Sequence, residues 1–138
     1  GLVSEAVKLI SSGISGRIPQ SHLHGTYFAA RGPGDEILNW SDTSRNIYNK
    51  IRAITRPAPG ALTFLNKQPV IVWRAFYDPT WPNYISTPGQ VVGNHPGQGV
   101  LVKTGDSTLL IQEVQIGDGN PGIPAWPIRT RLDVNHPI

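Results

Sequence analysis

Residues 44–77 read SRNIYNKIRAITRPAPGALTFLNKQPVIVWRAFY, and the spacing of their apolar residues changes from that of a helix to that of strands. The first part places apolar residues every three or four positions, which predicts a helix that ends before Pro57. Its apolar face consists of Ile47, Tyr48, Ile51 and Ile54. After Gly60 apolar residues alternate, which predicts a β-hairpin with its turn at 66–67. A helix followed by a hairpin therefore begins the main domain.

Three further strand-like segments follow this hairpin, at 90–92, 99–103 and 108–115, with a tight turn at 104–107. Five short strands with tight turns are typical of a small barrel or sandwich. We therefore predict a mainly β fold with two helices (α+β). It consists of a small five- to six-stranded barrel, like an oligonucleotide-binding (OB) fold, preceded by a helix and an extended connector.

The regions that flank the barrel have different patterns. Residues 2–12 place apolar side chains at helical spacing and predict a short amphipathic helix, whereas 14–39 have no periodicity beyond a short strand at 25–28. The end of the chain is rich in proline, and we expect it to wrap over the surface or to be partly disordered. The predicted boundaries are 1–13 for the helix, 14–40 for the connector, 41–118 for the barrel domain and 119–138 for the Pro-rich tail.

The composition restricts the class of protein. A chain of 138 residues suggests one domain, and the absence of cysteine excludes disulfides, cysteine zinc sites and thiol chemistry. No apolar run approaches the roughly 18 residues that span a bilayer, and no signal peptide is visible, so we expect a cytoplasmic protein without a membrane partner. Because methionine is absent, even at position 1, we expect a fragment or a processed product.

Half of the twelve basic residues lie in residues 44–77, called the basic stretch below, which contains neither Asp nor Glu. Charges that are not neutralised locally add to a surface potential that attracts anions. The candidate substrate-binding or anion-binding residues are Arg45, Lys50, Arg52, Arg56, Lys67 and Arg74. The alternative is a helix and two strands whose solvated outer faces happen to be basic.

Aromatic residues accompany this charge and offer a second candidate feature. Bases of single-stranded nucleic acid stack on aromatic side chains beside basic residues. The candidates for such a platform are Phe64, Trp73, Phe76, Tyr77, Trp81 and Tyr84. The alternative is that these rings fill the core of the barrel or close one end of it.

Catalytic and metal-binding patterns are weak. His22 and His24 would point the same way in an extended segment, but no third ligand lies near them in the sequence. His95 is a general base by residue type alone, and the adjacent Asp35 and Glu36 would face opposite sides of an extended chain. Neither a phosphate-binding glycine loop nor a nucleophile elbow occurs. We therefore predict no catalytic, cofactor-binding or metal-binding residue in this chain.

An ordered series of short segments resembles formyltransferases that use 10-formyltetrahydrofolate. The segments are GRIPQ at 16–20, GTYF at 25–28, DEILNW at 35–40, IYNKIRA at 47–53, PGALT at 59–63, PGQV at 88–91 and GVLVKTGD at 99–106. The series covers residues 1–118 and is similar to the C-terminal part of this family. Its members include methionyl-tRNA formyltransferase, aminosugar formyltransferases and the hydrolase domain of 10-formyltetrahydrofolate dehydrogenase.

The resemblance implies that residues 1–13 are the last helix of an upstream Rossmann-like catalytic domain, which carries the chemistry and is absent here. The family's His-x-Ser-Leu-Leu-Pro signature has no counterpart in this chain. The complete enzyme would use 10-formyltetrahydrofolate, and this chain would be an accessory, substrate-binding portion that does not catalyse alone. The formyl acceptor stays open between an aminoacyl-tRNA, an aminosugar nucleotide and water.

Two other classes of function remain open from the residues. The chain could be a nucleic-acid-binding (tRNA-binding) OB-like module without enzymatic activity, in which case binding would weaken steeply with salt. It could also be a structural or dimerising module. A net charge of +3 is mild for a dedicated nucleic-acid binder.

Overall fold

A computed structural model describes residues 1–133 and divides the chain into two compact units, Gly1–Arg31 and the remainder. The first unit has one helix, α1, at Leu2–Ser11, and a single 3-10 turn at His22–His24. The predicted helix is thus confirmed. The strand predicted at 25–28 is wrong, because those residues have no strand pairing.

The described part of the second unit, residues 32–133, contains one helix, α2, at Ser44–Ile54, and five strands. The strands are β1 at Ala61–Leu65, β2 at Gln68–Phe76, β3 at Val91–His95, β4 at Gly99–Lys103 and β5 at Thr108–Ile116. They pair antiparallel in the order β1-β2-β5-β4-β3. The predicted mainly β fold with two helices is confirmed.

Residues 129–133, the last that the structure describes, bond to both edge strands of this sheet. Phe64 of β1 and Asp133 exchange two backbone hydrogen bonds, at 3.1 and 2.8 Å. Val91 of β3 donates to Thr130 at 2.8 Å and accepts from Arg129 at 2.9 Å. Residues 129–133, called the closing segment, therefore complete the ring between β1 and β3, which the sequence did not predict.

The other half of the outer edge of β1 is covered by residues before the barrel. Leu62 donates to Glu36 at 2.9 Å and accepts from Leu38 at 2.7 Å, in a parallel bridge. A strand edge left open would offer unpaired backbone groups to other chains. The outer edge of β1 is therefore bonded on both sides of its midpoint, by 36–38 and by the closing segment.

The core lies inside this ring and under α2. It includes the apolar face that the sequence predicted for α2, since Ile47, Ile51 and Ile54 are buried. The Pro-rich tail contributes Trp126 and Leu132, which are 9% and 1% exposed. The remaining core side chains come mostly from the strands and include Val70, Val72, Val91, Val100, Val102, Leu109 and Ile111. Tail and strands thus share one core.

The N-terminus of α2 is capped by its own chain and by a distant turn. Thr43 accepts a hydrogen bond from the backbone of Asn46, while Asp106 accepts one from the backbone of Ser44 at 2.8 Å. Gly105 lets the turn come this close, because a Cβ there would collide with the carbonyl of Ser41. The turn between β4 and β5 therefore fixes the start of the helix.

A loop at 78–88, called the aromatic loop, places Trp81 against residues of β2 and β3. Leu101 and Leu110 alternate with core residues and so point outward, yet they are 5% and 2% exposed. The Trp81 ring lies 5.7 Å from the ring of Phe76 and 6.2 Å from that of His95. A second, smaller apolar layer therefore lies outside the barrel.

Candidate functional site

The six basic candidates lie in four places of the second unit: α2, the segment that follows it, the turn between β1 and β2, and β2. Arg45, Lys50 and Arg52 are on α2, Lys67 is in the turn between β1 and β2, and Arg74 is on β2. Arg56 does not share a helix face with Arg45 and Arg52, because α2 ends at Ile54 and Arg56 lies beyond it.

Two of the six have a structural contact that their sequence neighbourhood does not reveal. The Lys50 ammonium donates to the carbonyl of Ile37 at 2.7 Å, which ties α2 to the segment before the barrel. The Arg56 guanidinium forms an ion pair with Glu113 at 3.0 Å and lies 4.3 Å from the centroid of the Trp73 ring. These two cations therefore help to hold the domain together.

Arg52 lies on an aromatic surface at the outer side of α2. Its guanidinium is 5.2 Å from the centroid of the Tyr48 ring, and that ring lies 6.1 Å from the ring of Tyr77. A guanidinium held over a ring keeps its charge and still presents N–H donors to solvent. This arrangement suits an anion that also carries a planar group.

The other basic side chains are exposed to solvent. Arg45 and Lys67 are exposed, and Lys67 has a φ of 68° in a tight turn that projects it from the hairpin. Arg74 is exposed at a β-bulge, opposite Glu113, which already pairs with Arg56. One carboxylate thus faces two guanidinium groups, and an excess of positive charge remains at this part of the sheet.

Five of the six aromatic candidates fall into three groups, and the sixth, Tyr84 in the 78–88 loop, is 40% exposed. Phe64 is 3% exposed and belongs to the interior, so it cannot stack on a ligand. Trp73 and Tyr77 lie beside Arg56 and Tyr48, whereas Phe76 and Trp81 contact each other on the other side of β2. No single platform therefore unites the six rings.

The residues with catalytic or ligand chemistry are not brought together. The prediction that His22 and His24 point the same way is wrong, because they lie in a 3-10 turn, where residues two apart diverge. Within residues 1–133 no group of three or more His, Asp or Glu side chains is placed to hold a metal ion. Asp35 and Glu36 each accept a hydrogen bond from a nearby backbone amide. His136 lies outside the described residues.

Two acidic groups have a perturbed pKa, and in each the cause is local structure. Two hydrogen bonds from Thr80 lower the pKa of Asp78. Burial raises the pKa of Asp106, but the hydrogen bonds from Ser44 and Thr104 together outweigh it and hold the pKa below its ordinary value. Both carboxylates therefore stabilise turns of the chain.

A groove of about 250 Å³, called the Trp126 groove, lies between β5 and the tail. Its lining consists of Val114, Ile116, Gly119, Asn120, Gly122, Ile123, Pro124, Ala125 and Trp126. None of these residues carries a charge, so the groove does not fit the carboxylates of a folate. Trp126 and Ile123 belong to the tail, and no local sequence pattern predicts a role for them.

A family model described as "Formyl transferase, C-terminal domain" matches residues 32–124. Two curated relatives are methionyl-tRNA formyltransferases. The one from Symbiobacterium thermophilum is 38% identical over 114 residues, which cover 83% of this chain and 34% of that protein. The one from Carboxydothermus hydrogenoformans is 34% identical, with 83% and 36% covered. The chain thus spans about a third of the length of these relatives.

Solved structures of HypX from Aquifex aeolicus have the same fold. One is a complex with tetrahydrofolic acid, with a TM-score of 0.53, 19% identity, and 83% of this chain and 19% of that chain covered. A variant of the same protein has a TM-score of 0.54 at 20% identity, with 83% and 19% covered. Within residues 1–133, no helix is both long enough and apolar enough to cross a membrane.

Proposed function

Since this chain belongs to the formyl transferase C-terminal domain family, we propose that it is the C-terminal, substrate-binding portion of a cytoplasmic formyltransferase. The complete enzyme transfers a formyl group from 10-formyltetrahydrofolate to an amine, as part of one-carbon metabolism. The observation that carries the proposal is the family match over two thirds of the chain, joined to a fold that HypX shares.

The chemistry of the described residues supports an accessory role rather than a catalytic one. The histidines and carboxylates at 1–133 are dispersed, and the uncharged Trp126 groove does not suit the folate. We assign the formyl donor and the catalytic groups to a Rossmann-like domain upstream of this chain. Under this proposal, residues 1–13 are the terminal helix of that domain.

The first unit supports an upstream partner by its exposed apolar surface. Leu2, Val3, Val7 and Ile10 of α1 are 87%, 79%, 59% and 64% exposed. An amphipathic helix gains most of its stability by burying such a stripe. We propose that the upstream domain covers this stripe in the complete enzyme.

The substrate-binding surface consists of the exposed part of the basic stretch. Arg45, Arg52, Lys67 and Arg74 contact the phosphate groups of the substrate, while Lys50 and Arg56 keep the structural contacts described above. Arg52 with Tyr48 provides the planar, cationic contact that a nucleotide requires. An aminoacyl-tRNA and an aminosugar nucleotide both carry such groups, and we favour the tRNA because both curated relatives act on methionyl-tRNA by name.

Binding of initiator tRNA to the chain, measured by fluorescence titration at increasing salt, tests this surface. Each phosphate contact contributes about −0.7 to −0.9 to the slope of log K against log salt. We expect Arg52→Ala and Arg74→Ala each to weaken binding and reduce that slope. Arg131→Ala is the matched control, since Arg131 is an exposed cation outside the basic stretch.

Three outcomes separate the alternatives. Binding of an aminosugar nucleotide but not of tRNA would move the proposal to the aminosugar branch. No binding of either ligand at low salt would contradict a substrate-binding role. Strong tRNA binding by a protein whose complete form lacks formyl transfer would favour the OB-like nucleic-acid-binding module instead.

A further inference from the structure

Glu113 of β5 places a carboxylate among the guanidinium groups of the basic stretch. Its side chain forms the ion pair with Arg56 at 3.0 Å, and it lies opposite Arg74 in the pairing of β2 with β5. Side chains of opposite residues on neighbouring strands are close enough to interact. The Glu113 side chain is 25% exposed, so solvent screens its charge only in part. An anion that approaches Arg74 therefore also meets a carboxylate.

The position of this carboxylate is fixed before a ligand binds. The Arg56 guanidinium pairs with Glu113 while it lies 4.3 Å from the centroid of the Trp73 ring. The ring is held at its edge, because its Nε1 donates to the side chain of Gln115 at 3.1 Å. It also lies so close to Gly60 that a Cβ there would come within 2.9 Å of the ring. A charge held in this way acts on every anion that approaches.

The ion pair reduces the charge that this part of the surface offers to a ligand. Arg56 and Arg74 carry two positive charges, and Glu113 offsets one of them. A phosphate group near these side chains therefore gains the attraction of one net charge instead of two. Since the Arg56 side chain is 50% exposed, a ligand can reach the guanidinium that the carboxylate offsets.

The surface around Arg52 attracts ligands in a different way. The Arg52 guanidinium lies over the Tyr48 ring, and the Tyr77 ring lies beside that ring. An aromatic ring does not cancel the charge of a guanidinium, and a planar group can stack on it. A nucleic acid carries both phosphates and planar bases, whereas a simple polyanion offers only charge. Binding at Arg52 therefore favours the nucleic acid.

A repulsive group raises the discrimination between two such ligands, because specificity is a difference of affinities. Inorganic polyphosphate has no sugars between its phosphates, so it brings more negative charge near one carboxylate than a nucleic acid does. Glu113 should therefore repel polyphosphate more strongly than it repels a nucleic acid.

We propose that Glu113 is a specificity-determining residue of the substrate-binding surface. Its charge beside Arg74 weakens the binding of anions that carry phosphates alone, so that tight binding also requires the contact of Arg52 and Tyr48 with a planar group. The inference rests on the proposed function, since it takes tRNA as the ligand that is selected. It adds a residue of β5, outside the basic stretch, to the surface that recognises the substrate.

Fluorescence titration of the chain with inorganic polyphosphate and with initiator tRNA, at increasing salt, tests Glu113→Gln. The amide keeps the size of the side chain and still accepts a hydrogen bond from Arg56. We expect Glu113→Gln to bind polyphosphate about two- to fivefold more tightly at low salt, the gain expected from one exposed charge pair. The affinity for tRNA should rise less, so the ratio of tRNA affinity to polyphosphate affinity should fall. Glu5→Gln is the matched control, since it removes the same charge from an exposed position of α1.

A second substitution separates the effect of the charge from a structural effect. Arg74→Ala should weaken polyphosphate binding more in the Glu113→Gln chain than in the native chain, because the carboxylate no longer offsets the guanidinium. If Glu113 had only a structural role, its substitution would lower stability in urea denaturation without changing this coupling.

The outcomes distinguish this inference from the proposed function. Equal gains in Glu113→Gln and Glu5→Gln would show that only net charge matters, and would overturn the inference. A native chain that binds tRNA, with an affinity ratio that Glu113→Gln leaves unchanged, would overturn the inference and leave the proposed function standing. A native chain that binds neither tRNA nor an aminosugar nucleotide would overturn the proposed function and the inference with it.

Discussion

The first 31 residues and the barrel that follows them differ in how they are stabilised. Not one residue of the first unit is buried, and its apolar side chains, such as Leu23 at 95%, are open to solvent. The second unit instead has a core to which α2, the strands and the tail all contribute. The barrel is therefore stabilised by its own core, whereas no buried side chain stabilises the first unit.

The largest loss of stability should come from a substitution in the tail, because buried tail residues are part of the barrel's core. Leu132 is 1% exposed, and Leu132→Ala should lower the free energy of unfolding by about 2–5 kcal/mol, measured by urea denaturation. Ile128→Ala, at an exposed position four residues earlier, should change it by less than about 0.5 kcal/mol. Equal effects would mean that the closing segment is not part of the core.

The second-largest loss of stability should come from removing the cap that the turn between β4 and β5 provides for the N-terminus of α2. Asp106→Ala removes the carboxylate that accepts from the backbone of Ser44 and should cost about 1–2 kcal/mol in urea denaturation. Asp118→Ala is the control, since Asp118 is also exposed and follows β5. A loss no larger than that of the control would show that Thr43 alone caps the helix.

This cap also predicts a pH dependence. The pKa of Asp106 is lowered in the folded chain, so its contribution is complete above the ordinary value of 3.8 and is lost as pH falls through the folded pKa. The difference in stability between the native chain and Asp106→Asn should therefore shrink in acid. A difference that grows below pH 3.8 would contradict the direction of the shift.

A substitution in the turn that leads into the closing segment should increase stability, by less than the preceding substitutions decrease it. Arg129 has a φ of 79°, and Thr130 donates to the carbonyl of Pro127 at 3.1 Å. This conformation suits glycine, so Arg129→Gly should raise the free energy of unfolding by about 0.5–1 kcal/mol. Arg131→Gly, which lacks a positive φ, should lower it or leave it unchanged.

The smallest effect should come from the first unit. Val7 is 59% exposed, so Val7→Ser should leave the unfolding of the chain within about 0.5 kcal/mol of its native value. The same substitution in the complete enzyme should be destabilising, since we propose that the upstream domain covers this side chain. A large effect in the chain alone would show that the first unit packs on itself or on the barrel.

The strands could be predicted because their side chains alternate and their turns use Gly, Asn and Asp. The bulge at Arg74 could not be predicted. It is a shift in the pairing of β2 with β5, and the sequence around Arg74 does not indicate it. The closing segment was also missed, because its pairing uses backbone groups and only Leu132 among its residues is apolar and buried. Sequence periodicity needs a longer run than this segment offers.

The candidate site could be predicted only as a set of charges. The basic stretch identified the cations, but the structural contacts of Lys50 and Arg56 depend on Ile37 and Glu113, which are 13 and 57 residues away in the chain. The Trp126 groove depends on β5 and the tail lying side by side. These contacts between distant residues form only when the barrel closes, so a local sequence pattern cannot predict them.

The most direct test of the account is formyl transfer from 10-formyltetrahydrofolate, measured for the chain alone and for a fusion. In the fusion the chain replaces the C-terminal third of the Symbiobacterium thermophilum relative. With methionyl-tRNA and an aminosugar nucleotide as acceptors, we expect formylated product from the fusion only. Replacing Arg45, Arg52 and Arg74 with alanine should raise KM for the acceptor and change kcat little. Product from the chain alone, or a folded fusion inactive with both acceptors, would contradict the account.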